Sequence, residues 1–129
     1  VDHFATVNNV LGVSAGDRAL QRLAGVLRRR CGEGQLAARL EGDCFAVLLP
    51  GAAPAEAEIF AMRVRQAAAD DRRGTDGESG PPVTVSVGVA SFDAADRSPD
   101  DVYRRADAAL KRAKRDGRNR VATALPVNG

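Results

Sequence analysis

At 129 residues the chain fits one compact domain, able to bury a single core without metal or disulfide staples. Its composition, 44% hydrophobic and 28% charged, is that of a globular protein, and a formal charge of +2 makes no case for a nucleic-acid partner. Cys31 and Cys44 are too few for a disulfide framework, no apolar run reaches the length of a membrane span, and no signal-peptide pattern opens the chain. A cytoplasmic setting follows as the expectation, with a membrane tether left open for a longer parent protein.

The chain opens on Val1-Asp2-His3-Phe4, directly ahead of a helical pattern. No strand-length apolar segment precedes it, so residues 1–129 read as a single domain cut from a longer multidomain protein. Phe4, Val7, Val10 and Leu11 recur at helical spacing, and Gly12 is placed to end that helix. A second helix is predicted from about Ala15 to Cys31, with Leu20, Leu23, Ala24 and Leu27 on one stripe. Leu36–Leu40 and Cys44–Leu49 read as strands joined by a two-residue turn at Gly42-Asp43.

Pro50-Gly51 stops the second strand, and a third helix is expected over Pro54–Ala69. Asp70 to Pro82, rich in Gly, Pro and charge, reads as a mobile loop. Val83, Val85, Val87 and Val89 alternate with small or polar residues, the pattern of a strand. Ser98-Pro99-Asp100-Asp101 then starts a helix with Ser98 as N-cap, and Gly117 ends it near Asp116. A last short strand is expected near Arg120–Ala124. With one strand restored ahead of Val1, this order predicts an α+β sandwich of the ferredoxin-like kind. Many ferredoxin-like sheets bind RNA on exposed strand aromatics, but Phe45 is the one clear strand aromatic here, and that reading is set aside.

Three segments resemble the GGDEF family of diguanylate cyclases, in order and across nearly the whole chain. Val1-Asp2-His3-Phe4-Ala5-Thr6-Val7-Asn8-Asn9, followed by Gly12 and Gly16-Asp17, is similar to D-[IL]-D-x-F-K-x-x-N-D…G-H-x-x-G-D. Ala38-Arg39-Leu40-Glu41-Gly42-Asp43-Cys44-Phe45 resembles A-R-Y-G-G-[DE]-E-F. Ser86 to Ala90, Arg105 to Leu110 and Ala113 to Asn119 resemble S-x-G-[VI]-A and R-A-D-x-A-L-Y-x-A-K-x-x-G-R-N.

The resemblance implies a nucleotide-cyclase palm, a central mostly antiparallel sheet flanked by helices with its first strand truncated here. It implies a head-to-head homodimer joining two GTP into cyclic di-GMP with Mg2+, a phosphoryl transfer governed by positioning and charge neutralisation. By the same resemblance Asn8 and Asp17 read guanine. Backbone N–H groups of His3, Phe4 and Ala5, beside Gly42, cradle phosphate. Lys114 and Arg118 neutralise it, and Asp43 is the metal ligand and catalytic remnant. The other metal-binding acid of the motif would fall just ahead of Val1, and Asp2 is not its substitute.

The simpler readings are that Asn8 faces solvent, that Asp17 caps the second helix, that Asp43 only serves a turn, and that Lys114 and Arg118 complement a helix end. Departures from the family pattern bear on activity. Cys44 stands where the signature has its catalytic glutamate, and a thiol is mostly neutral at pH 7 and too soft for magnesium. Glu41 replaces a glycine, adding negative charge beside a polyanion at a cost of roughly 1 to 4 kcal/mol. The R-x-x-D inhibitory site falls on Gly32 and Gln35, so no inhibitory site is expected. The resulting expectation is a catalytically inactive GTP-binding regulatory module, linked to a regulatory or phosphodiesterase domain. An active diguanylate cyclase and a dimerisation scaffold without nucleotide are the alternatives.

Overall fold

In the computed structural model residues 1–70 and 83–125 are described, so the predicted loop lies outside the described residues apart from Asp70. The elements follow the expected order: α1 (Phe4–Leu11), α2 (Val13–Arg30), β1 (Leu36–Glu41), β2 (Cys44–Leu48), α3 (Pro54–Asp70), β3 (Val87–Val89), α4 (Pro99–Arg115) and β4 (Val121–Thr123).

Gly12 alone separates α1 from α2. Its φ of 94° is open to glycine and strained for other residues, and its N–H still bonds the Asn8 carbonyl at 3.0 Å. The second helix consequently starts two residues earlier than its apolar stripe suggests. Along that stripe Leu23, Val26 and Leu27 meet Val64 and Ala68 of α3 and Val85 ahead of β3. Each side chain of this size contributes about 1.5–3 kcal/mol when fully buried. Ala37, Phe45 and Val47 of the hairpin pack on the same cluster, so one helical layer covers these strands.

On β3 the packing is closer. A Cβ placed on Gly88 would lie 2.1 Å from the Ala106 carbonyl oxygen and 2.5 Å from the Leu110 nitrogen. The α4 backbone therefore rests on the strand itself, with Ala109 and Ala113 fully buried beside it. Gly88 is required here because any side chain would push the helix away.

The α+β palm stands, but its ladders differ in detail from the expected continuous sheet. β1 and β2 pair antiparallel, whereas β3 and β4 pair parallel and form a separate two-stranded ladder. The predicted strand from Val83 shortens to Val87–Val89, because Thr84 gives its carbonyl to the Asp2 N–H (2.9 Å) and the ladder to β4 begins only at Val87. At the start of α4 Ser98 makes no side-chain cap bond; Asp101 instead accepts from the Arg97 N–H at 2.7 Å.

Candidate functional site

Residues 1–3 are the junction of the site. The Val1 nitrogen lies 3.2 Å from the Asp43 carbonyl oxygen and 3.6 Å from its Oδ2, which brings the hairpin turn against the start of the chain. Asp2, 4% exposed, takes Thr84 Oγ1 (2.7 Å) and the Asn119 N–H (3.0 Å) on Oδ2, and Ser86 Oγ (2.6 Å) on Oδ1. Burial raises its pKa, but these donors outweigh that effect, and the carboxyl ends below the ordinary value. Both oxygens are thus committed to protein donors. His3 follows in the left-handed region (φ 55°) and turns the chain into α1, whose first N–H groups have no partner within the helix.

The end of α4 meets the same junction. Its C-terminus closes as a Schellman turn, the Arg118 N–H bonding the Ala113 carbonyl at 3.0 Å across Gly117. Arg118 (φ 63°) and Asn119 (φ 48°) continue in left-handed conformation, which costs Arg118 about 1–3 kcal/mol and asparagine less. Three contacts hold them there: Asp2 on the Asn119 N–H, Arg65 Nη1 on Asn119 Oδ1 (3.0 Å), and Arg120 Nε on the Arg118 carbonyl (3.1 Å). Lys114, one turn earlier, is exposed, as is Arg118.

Asn8 and Asp17 lie farther along, at the crossing of α1 and α2. A Cβ on Gly16 would sit 1.9 Å from Asn8 Oδ1 and 3.2 Å from the Phe4 ring, so both side chains seat directly on the α2 backbone. Asn8 Oδ1 is buried there without a hydrogen-bond partner. Asn8 is therefore not merely solvent-facing. Asp17, a turn inside α2, does not cap it, because the cap position is Gly12. Asp17 instead opens onto a cleft of about 530 Å³ between α2 and the hairpin. Gln21, Arg28 and Arg39 supply its other polar groups, above Leu20 and Phe45.

The hairpin turn is looser. Glu41 pairs with Cys44 around Gly42-Asp43, with a register shift between Arg39 and Glu41, and Arg39 Nε bonds the Gly42 carbonyl at 2.8 Å. Gly42 has φ 52° and open space where a side chain would project. Glu41 is exposed, while Asp43 and Cys44 are half-buried. Among the described residues no three His, Cys, Asp or Glu side chains gather where they could hold a metal ion, so Asp43 offers one carboxylate only. At the positions matching the inhibitory motif, Gly32 and Gln35 close a local turn on each other, the Gly32 N–H bonding Gln35 Oε1 at 2.7 Å.

Arg65, Arg39 and Asp2 are members of this site that sequence reasoning did not assign. Arg65 carries no local signal, since it reaches Asn119 across 54 positions of sequence. Arg105, quoted within the R-A-D segment, turns out to clamp the loop before α4. Its Nε and Nη2 hold Asp96 at 3.1 and 2.5 Å, and Nη2 also bonds the Ser91 carbonyl at 2.6 Å. That guanidinium keeps the Asp96 carboxyl below its ordinary range.

An antiparallel hairpin, a parallel ladder with α4 seated on it, and acid, helix start and basic turn converging at residues 1–3 fit a nucleotide-cyclase palm. A family model described as "Diguanylate cyclase, GGDEF domain" matches residues 1–120, and the chain belongs to that family. It is 37% identical over 124 residues to diguanylate cyclase DgcP of Pseudomonas aeruginosa, covering 96% of this chain and 18% of that protein. Among solved structures it is similar to the active GGEEF domain of a diguanylate cyclase from Vibrio cholerae (TM-score 0.88, 29% identity, 98% of this chain and 79% of that one). It is also similar to the GGDEF domain of DgcB from Caulobacter crescentus in complex with c-di-GMP (TM-score 0.84, 34% identity, 95% and 72%). This kinship assigns the domain to cyclic di-GMP signalling. No helix among the described residues is long and apolar enough to cross a membrane.

Proposed function

We propose that this domain binds GTP and regulates a linked domain, without making cyclic di-GMP itself. The observation that carries the reading is the convergence at residues 1–3. Asp43 approaches from one side through Val1, and the Arg118-bearing turn approaches from the other through Asp2. A triphosphate at the start of α1 would meet its free N–H groups together with Lys114 and Arg118. Guanine would reach the α1–α2 crossing, where Asn8 offers its side-chain amide and Asp17 a carboxylate acceptor.

Magnesium arriving with GTP would be held by Asp43 and by phosphate oxygens, since this ion keeps few protein carboxylates and prefers hard oxygen. Inactivity rests on Cys44, which cannot replace a carboxylate, and on the negative charge of Glu41. Because the chain spans 18% of DgcP, regulation of an attached phosphodiesterase or sensor domain belongs to this proposal, as do a homodimer and a cytoplasmic setting.

Calorimetry with GTP and magnesium tests the binding half: absence of heat at millimolar GTP would leave a nucleotide-free dimerisation scaffold. Chromatography after a long GTP incubation tests the inactive half. Cyclic di-GMP that appears with wild type and vanishes with Asp43→Ala would make the domain a working cyclase.

A further inference from the structure

Arg118 and Asn119 both hold left-handed backbone, which asparagine tolerates and arginine does not favour, on a turn exposed to solvent. Ordinary helix termination explains Gly117 but not two further left-handed residues. Beside the local Arg120 bond, two of the contacts that hold them come from distant parts of the chain and act on Asn119: the buried carboxylate of Asp2, 117 positions away, and the guanidinium of Arg65 on α3. Arg65 is itself tied back along α3, its Nη2 bonding Gln66 Oε1 (2.5 Å) while Gln66 Nε2 bonds Asp70 Oδ2 (2.8 Å).

We propose that Asp2 and Arg65 are positioning residues that lock the Arg118–Asn119 turn beside the start of α1, presetting Arg118 for a triphosphate. This role presupposes the GTP-binding function proposed above. Asp2 suits the task because one carboxylate joins three segments at once. Its own backbone leads into α1, its Oδ1 and Oδ2 fix Ser86 and Thr84, and Oδ2 receives the Asn119 N–H. A charged acceptor makes that bond stronger than a neutral one would. Arg65 completes the clamp by holding the Asn119 side chain, so both ends of the residue are fixed and its neighbour Arg118 has little freedom. Such a turn meets its ligand already ordered, and binding then spends less on immobilising the arginine.

The test is GTP calorimetry with magnesium on wild type, Asp2→Asn, Arg65→Met, Arg118→Ala and the Asp2→Asn/Arg118→Ala pair, with denaturant unfolding of each. Asn at position 2 keeps the shape but turns one acceptor into an N–H2 group, which cannot receive the Thr84 and Asn119 donors. Asp2→Asn and Arg65→Met are each expected to weaken GTP about five- to tenfold in wild type, and Asp2→Asn less than about twofold once Arg118 is alanine. An equal loss in both backgrounds would reduce Asp2 to general stabilisation and overturn the proposal. Should Asp2→Asn fail to fold, Arg65→Met carries the test alone, since it removes only the bonds to Asn119 and Gln66 from a partly exposed surface. Wild type that binds GTP while the folded position-2 and position-65 variants bind equally well sinks the positioning role only. Wild type that does not bind GTP sinks the GTP reading and this proposal together.

Discussion

The two turns that flank residues 1–3 have fared differently. At the end of α4, the Gly117–Asn119 turn keeps its family residues and is bonded from Asp2, Arg65, Ala113 and Arg120. Across the junction the turn carries Glu41 and Cys44 where the pattern it resembles has a glycine and a glutamate, and it is tied by Arg39 to Gly42 and by Val1 to Asp43. The first turn belongs to the frame, because breaking it would strand a buried carboxylate. The second projects outward, so Glu41 and Cys44 can change without disturbing the core.

The largest effect should come from the frame. Gly88→Ala would drive a methyl into the α4 backbone that carries the Arg118 turn, and is expected to cost about 3 kcal/mol in denaturant unfolding. A loss under about 0.5 kcal/mol would mean that α4 can retreat from β3. Arg118→Ala should leave unfolding nearly unchanged while weakening GTP about tenfold by calorimetry. Unchanged affinity would show that the ordered turn serves no ligand.

Acid sharpens the same contrast. Asp2 and Asp96 both have folded pKa values below the ordinary 3.8. Their contribution is therefore present above that value and is lost as pH falls through the depressed folded values. Unfolding free energy should decline below about pH 4, and Asp2→Asn should flatten part of that decline. A profile indifferent to the substitution would contradict the assigned bonds. The smallest effect is expected at the exposed turn: Glu41→Gly should tighten GTP by about fivefold, as one solvent-screened repulsion is removed, with little change in stability. Affinity that stays constant would place the triphosphate away from Glu41.

Local chemistry was well written in the sequence. Gly12, Gly117, the Gly42-Asp43 turn and the Leu23–Leu27 stripe announced their elements because each acts within a few residues. Less legible was the strand from Val83, whose alternation promised more ladder than forms, since pairing depends on partners that periodicity does not name. Asn8 and Asp17 looked compatible with surface roles until the contact of Asn8 with Gly16 removed one side chain from solvent and the Gly12 cap freed the other from capping.

The order of elements, the family resemblance and the residues at Glu41 and Cys44 are legible along the chain, because spacing and residue type act over short distances. Folding in three dimensions is what gives Asp2 its protein donors, carries Arg65 to Asn119, and brings the hairpin turn and the α4 turn together at residues 1–3. Those facts depend on groups brought together from 54 and 117 positions apart. Their bonds form only when packing has already set the distances, so no local pattern can announce them.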